Sequence, residues 1–232
     1  MSYPFGVHND ISNEDYHGVK EVQGLPAFSS TFCKTFAKQS PFHAAAIVHP
    51  KDSDAIRNGS ALHAWTLEGV VPLRGPESRA KRAAWKEAQE EADRLGTIAL
   101  TDRNYELVRS MNNALMDNPT IANLLSAKGG VAEHSVFAPF EGICMKARPD
   151  LMITEQKMMI DVKTAVSAKP ADFERQAQSL GYILQAAWYV ICLRELGIII
   201  NRFLFAVVQN SAPFATSVVE LGKEDLSYSV NY

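Results

Sequence analysis

Two apolar runs near the middle of the chain, Ile143 to Thr154 and Met158 to Thr164, read as strands joined by a turn centred on Glu155-Gln156. A two- or four-residue turn there sets Asp150 directly opposite Asp161. Like charges opposed in a sheet destabilise it, so this hairpin fits only a fold that brings something positive to the two carboxylates. Side chains alternate along a strand. Asp161 and Lys163 therefore share one face, while Ile160 and Val162 point the other way into a core. Two carboxylates and one ammonium converge on a single patch.

The pattern around the hairpin sets the fold class. Before Gly129-Gly130 the chain is mainly helical. The first stretch, to about Gln23, reads as polar and irregular. Helices are expected over Ser30 to Lys38, Pro41 to Val48, Asn58 to Glu68, Glu77 to Leu95, Thr101 to Met116 and from Pro119 to Leu125, with Val70 to Gly75 a loop. After Gly130 come strands over Val131 to Ala138, Ile143 to Thr154 and Met158 to Thr164, with a turn at Pro139 to Gly142 between the first two. One long helix follows over Pro170 to Leu196, then strands over Arg202 to Gln209 and Thr216 to Leu221. The expectation is an α/β fold with a mixed central sheet, a helical N-terminal half (1–130) and a sheet-bearing half (131–232), in one domain.

Composition narrows the function classes. The chain has 232 residues and 47% hydrophobic content, enough for a substantial core. Its net charge of −3 argues against a protein that coats nucleic acid non-specifically, so any such contact is local. Cys33, Cys144 and Cys192 lack CxxC spacing and read as reduced thiols rather than metal ligands. No signal-type segment, membrane-length apolar run or GxxxxGK[ST] phosphate loop occurs. The chain reads as cytoplasmic, without a membrane or a nucleotide cofactor.

The converging carboxylates and lysine suit phosphodiester hydrolysis. Carboxylates are ligands for hard divalent cations, a metal activates water and neutralises phosphate charge, and a lysine stabilises developing charge. Other residues gather near this patch in the pattern. His63 stands on a helix four residues after Gly59. Glu133 lies on the preceding strand, and Arg148 lies two residues before Asp150, on its face by strand period. Gln185 and Tyr189 are at i and i+4 on the long helix, with Tyr182 three residues earlier. Arg79, Lys81 and Arg82, within the basic stretch Arg74 to Lys86, read either as a solvated helix face or as the lining of a DNA channel.

Taken in order, Gly59 to His63, Arg148-Pro149-Asp150, Ile160-Asp161-Val162-Lys163-Thr164 and Gln185 to Tyr189 resemble the GxxxH, carboxylate, DxK and QxxxY motifs of the PD-(D/E)xK nuclease superfamily in its RecB-like branch. Ile11 to His17 and Ala132 to Ser135 add a resemblance to the exonuclease VIII (RecE)-like nuclease domain, over about Ile11 to Leu221. The resemblance implies a restriction-endonuclease-like core in a single nuclease domain. It implies a phage- or prophage-type enzyme that degrades duplex DNA ends 5′ to 3′ with Mg²⁺, for which Mn²⁺ substitutes. It implies a homo-oligomeric ring and a single-strand annealing recombinase as partner. By position, Asp150 and Asp161 would bind metal, with His63 and Glu133 completing or supporting the set. Lys163 would act on the attacking water, Gln185 and Tyr189 would face the active site, and Thr31 would contact a 5′-phosphate. Arg148 and Tyr182 are carried as DNA contacts. Relatives usually continue with another helix where this chain stops, at Leu226 to Tyr232. A structure-selective or single-strand nuclease and a non-catalytic DNA-binding module are the rival readings.

Overall fold

In the computed structural model, which describes residues 3–46 and 53–222, the chain opens on short elements: β1 (Gly6–His8), α1 (Asn13–Gly18), β2 (Glu21–Val22) and β3 (Leu25–Ser29). The helical stretch comprises α2 (Ser30–Lys38), α3 (Pro41–Ala45), α4 (Asp54–Glu68), β4 (Leu73–Arg74), α5 (Arg82–Leu95), β5 (Ala99–Leu100), α6 (Asp102–Asp117) and α7 (Pro119–Leu125). Strands β6 (Gly130–Ala132), β7 (Ser135–Phe140), β8 (Ile143–Ala147), β9 (Leu151–Ile153) and β10 (Met158–Ala165) come next. Helices α8 (Pro170–Leu180) and α9 (Tyr182–Arg194) and strands β11 (Arg202–Gln209) and β12 (Thr216–Glu220) complete the order. Several helix starts are fixed by capping residues. Thr101 accepts from the Asn104 N–H, and Asn118, ahead of Pro119, accepts from Thr120 and Ile121.

The strands form two five-stranded mixed sheets, ordered β1-β7-β8-β3-β2 and β12-β11-β10-β9-β6. In the second, β10 pairs parallel to β11 and antiparallel to β9. The β9–β10 register matches Ile153 with Met158, Met152 with Met159 and Leu151 with Ile160. Its continuation sets Asp150 against Asp161, as the turn at Glu155-Gln156 requires. Central strand β10 is buried on both faces, as parallel sheets are. Met158, Ile160 and Val162 pack with Leu62, Leu100 and Met111 under α4 and α6. Met159 and Ala165 pack with Phe173, Ala186 and Tyr189 under α8 and α9. Asp161 and Lys163 thus face α9.

Several expected elements are divided, each for a physical reason. The run Val131 to Ala138 breaks after Ala132, where Glu133 adopts φ 54°. The run Ile143 to Thr154 breaks at Arg148-Pro149, where proline lacks the donor a ladder needs. At both breaks the chain crosses between the sheets, and the Glu133 N–H donates to the Asp150 carbonyl at 3.2 Å. The expected long helix is two, because Gly181 at φ 71° ends α8. The charged helix begins at Arg82 rather than Glu77. Upstream, Gly75 is pinned against β5: its N–H donates to the Leu100 carbonyl at 2.7 Å, and a Cβ there would stand 2.8 Å from that oxygen. Leu73–Arg74 pairs with β5, so the expected loop contains a strand. The helix expected over Pro41 to Val48 is Pro41–Ala45 with Ala46 as its C-cap, and residues 47–48, like Leu226 to Tyr232, lie outside the described residues. All three cysteines are free, and Cys144 and Cys192 are buried.

The largest correction is at the start. Residues 6–22 include β1, α1 and β2, and Ile11, Tyr16, Val19 and Val22 form a core with Phe137 and Cys144. These elements are too short to show a period, so their apolar residues read as scattered. The buried Lys146 ammonium donates to the carbonyls of Tyr16 (2.9 Å) and Val19 (2.8 Å), closing the C-terminal end of α1. Phe137 is fully buried and stacks on Tyr3 and Tyr16. Phe137→Ala is expected to cost about 3–5 kcal/mol in urea unfolding at unchanged m-value. A loss below about 1 kcal/mol would show that the N-terminal segment is peripheral to the fold.

Candidate active site

The site lies where the two sheets meet. Asp150 follows Pro149 at the entry to β9 and is buried. Its Oδ2 accepts the Val162 N–H at 2.7 Å. The carbonyl of the same Val162 lies 2.9 Å from His63 Nε2. A proton on Nε2 is thereby used on the backbone, and Nδ1 turns toward Asp150 Oδ2 (3.5 Å) and Glu133 Oε1 (3.6 Å). One ligand atom from each of His63, Glu133 and Asp150 lies within 4.8 Å of the others. Glu133 reaches this position from its positive-φ kink. Arg148 holds it there, donating through Nε to Glu133 (3.0 Å) and through a terminal nitrogen to Ser135 (2.7 Å) and the Ile11 carbonyl (3.0 Å).

These three residues fit a divalent cation. The ligands are one imidazole nitrogen and two carboxylates, and a backbone carbonyl fixes the tautomer that leaves Nδ1 toward the carboxylates. Electrostatics point the same way. Burial works against charge on His63, but the carboxylates of Asp150 and Glu133 outweigh it and raise its pKa from 6.5 to about 9. The imidazolium proton stands where a cation would.

Asp161 is not a member of this set. It is buried, and its Oδ2 abuts the Lys163 ammonium, which also sits 5.1 Å above the Tyr182 ring. Its Oδ1 receives Gln185 Nε2 at 3.4 Å, and Gln185 Nε2 also donates to Tyr189 Oη at 3.1 Å. Burial first, then the Asp150 charge, push the Asp161 carboxyl up to about 6. Burial opposes charge on Lys163, but Asp161 and Asp150 raise its pKa above the usual lysine value. Burial and the same carboxylates hold Tyr189 above the ordinary tyrosine range. The two groups are neighbours because Val162, which binds Asp150 and His63 through its backbone, stands between Asp161 and Lys163.

A cavity of about 350 Å³ opens over the first group, lined among others by Ser29, Ser30, Thr31, Glu68 and Tyr189. Thr31 is thus at the site. Arg148 lines the cavity with its guanidinium engaged on protein groups, and Tyr182 packs against Phe173 and Phe205 beneath Lys163. Arg79, Lys81 and Arg82 do not line the cavity. Arg79 pairs with Asp54 (2.6 Å) and lies 5.0 Å over Trp85, while Lys81 pairs with Glu77 (3.2 Å). Asp54 opens α4 nine residues before His63, about 13 Å along the helix. Sequence reading missed Lys34, whose Nζ donates to Gln185 Oε1 at 3.1 Å across 151 residues. It also missed Glu68, whose pKa burial and the Glu133 charge raise. Neither carries a local motif.

Both raised groups make the metal-free protein proton-dependent. The Asp161 contribution is full below about pH 3.8 and lost as pH rises through about 6. The His63 contribution is full below about pH 6.5 and lost through about 9. In EDTA, the melting temperature is expected to fall between pH 6.5 and 9, with a flatter slope in His63→Gln. Mn²⁺ is expected to stabilise more at pH 9 than at pH 6.5, because binding displaces the proton. Equal stabilisation at both values would contradict a metal at His63.

Residues 29–232 match the family described as a PDDEXK-like domain of unknown function (DUF3799). No curated protein matches the chain in sequence. A candidate exonuclease from Eubacterium rectale superposes with a TM-score of 0.67 at 15% identity, covering 95% of this chain and 81% of its own. A phage-related exonuclease from Haemophilus somnus 129PT covers 85% of this chain and 87% of its own, with a TM-score of 0.35 at 12% identity. The first of these likenesses supports the fold. With its mixed sheets, flanking helices and match over most of its length, the chain belongs to the PDDEXK-like domain family.

Proposed function

We propose that this protein is a divalent-metal-dependent nuclease that degrades duplex DNA from its ends, 5′ to 3′. The observation that carries the reading is the convergence of His63, Glu133 and Asp150 one peptide away from the Asp161–Lys163 pair. In this reading His63, Glu133 and Asp150 hold Mg²⁺ or Mn²⁺, with Asp161 alongside. The cation, when bound, lowers the pKa of water and offsets phosphate charge. Lys163 keeps its proton beside Asp161 and presents positive charge to the phosphate. Gln185 holds Asp161 from the α9 side and donates to Tyr189 beside it.

The hydroxyls of Ser29, Ser30 and Thr31 at the start of α2 suit an incoming phosphate, which helix N-termini favour. A terminal phosphate seated in this pocket would favour action at ends, as the motif resemblance implies for Thr31. The 5′ polarity, a homo-oligomeric ring enclosing DNA and a single-strand annealing partner follow from the motif resemblance and belong to the same proposal. The E. rectale protein, described as a candidate exonuclease, is in keeping with it.

The test is linear duplex labelled at its 5′ or 3′ end, with Mg²⁺ or EDTA, beside a covalently closed circle. Early metal-dependent release of the 5′ label with the circle intact is expected, and Asp161→Ala and Lys163→Ala should each slow release by at least about 100-fold while remaining folded. Cleavage of the circle would favour a structure-selective nuclease. Absence of cleavage by folded, metal-loaded protein would favour a binding module.

A further inference from the structure

Lys34 reaches the site from α2, one turn beyond Thr31, and no motif includes it. Its Nζ donates to Gln185 Oε1 at 3.1 Å. The Gln185 amide is then fully committed: its oxygen faces Lys34, and its nitrogen faces Asp161 Oδ1 (3.4 Å) and Tyr189 Oη (3.1 Å). A glutamine amide has two flipped orientations of nearly equal shape and opposite hydrogen-bonding sense. The flipped one would turn oxygen toward the Asp161 carboxylate and N–H groups toward the Lys34 ammonium. Lys34 and Asp161 therefore select the same orientation from opposite ends, and an ammonium on the carbonyl strengthens the N–H groups as donors.

The fold makes room for this contact. A Cβ at Gly181 would stand 3.1 Å from Lys34 Cδ and 3.2 Å from its Cγ, so the break between α8 and α9 is where the lysine stem passes. One turn on, the Lys38 ammonium donates to the Ser179 carbonyl near the end of α8. At its start, α2 presents Ser30, which lines the cavity together with Tyr189. The same helix thus reaches Gln185 and lines the cavity.

We propose that Lys34 is a positioning residue: its ammonium fixes the Gln185 amide with its N–H groups toward Asp161 and Tyr189, coupling α2 to the Asp161–Lys163 pair. Its effect on rate, though not its effect on the amide, rests on the nuclease reading above. In ¹⁵N–¹H spectra, the Gln185 side-chain amide pair is assigned by its loss in Gln185→Ala. Lys34→Met should move or broaden that pair, and Lys34→Arg should leave it near its wild-type position. Lys34→Gln keeps much of the stem and serves should the Met variant not fold.

In DNA cleavage at saturating Mn²⁺, Lys34→Met is expected to lower kcat about tenfold with KM within about twofold, and Lys34→Arg to stay within about threefold of wild type. The double variant Lys34→Met/Gln185→Ala should be no slower than Gln185→Ala alone. An unmoved amide pair in folded Lys34→Met, or an additive loss in the double variant, would overturn the proposal. If wild-type protein cuts no DNA, the nuclease reading falls, and the amide pair alone still decides the role of Lys34.

Discussion

Val162 gives its N–H to the buried Asp150 carboxylate at 2.7 Å and lies with its carbonyl 2.9 Å from His63 Nε2. Much of the site depends on this one peptide unit. Burying a carboxylate costs several kcal/mol unless its oxygens are satisfied, and the strand backbone satisfies one here without spending a side chain. Because β10 pairs in register with both β9 and β11, the position of Val162 is set by ladders on either side. A one-residue slip would turn Asp161 and Lys163 toward α4 and send Val162 to the α9 side. The register that protects the hydrophobic core thus also aims the charged groups.

The second constraint is the crossing of two broken strands. Glu133 kinks one and Pro149 interrupts the other, and the Glu133 N–H to Asp150 carbonyl bond ties the breaks together. A regular ladder would leave Glu133 and Asp150 to alternate with their neighbours through the sheet. The breaks free both from that period and let them meet a histidine from α4. Arg148, between the sheets, offsets the negative charge this creates and uses its remaining donors on Ser135 and Ile11. Both breaks fall where carboxylates must share a small volume.

Much of this was legible in the sequence. The turn at Glu155-Gln156 fixed the hairpin register, and strand alternation placed Asp161 beside Lys163. The spacing of Gln185 and Tyr189 put both on the helix face that meets Asp161. What stayed hidden depends on long-range packing. The segment before Gln23 is built from elements of two to six residues, too short for periodicity to register. Gly181 gave no sign that a lysine from α2 needed its space. His63, Glu133, Asp150 and Asp161 are all placed near a metal by motif and pattern; the first three converge, while Asp161 lies against Lys163 and Gln185, a pairing set by the packing of α9 that no local pattern encodes. The basic residues Arg79 and Lys81 were open to two readings, and the structure pairs them with Asp54 and Glu77.

The proposed nuclease requires a divalent cation where the sheets cross. The most direct measurement is an anomalous difference map from crystals soaked in Mn²⁺ at pH 8 or above, where His63 can give up its proton. A peak is expected among His63 Nδ1, Glu133 and Asp150, absent in His63→Ala crystals. A peak elsewhere, or none at a Mn²⁺ concentration that stabilises the protein in solution, would contradict it.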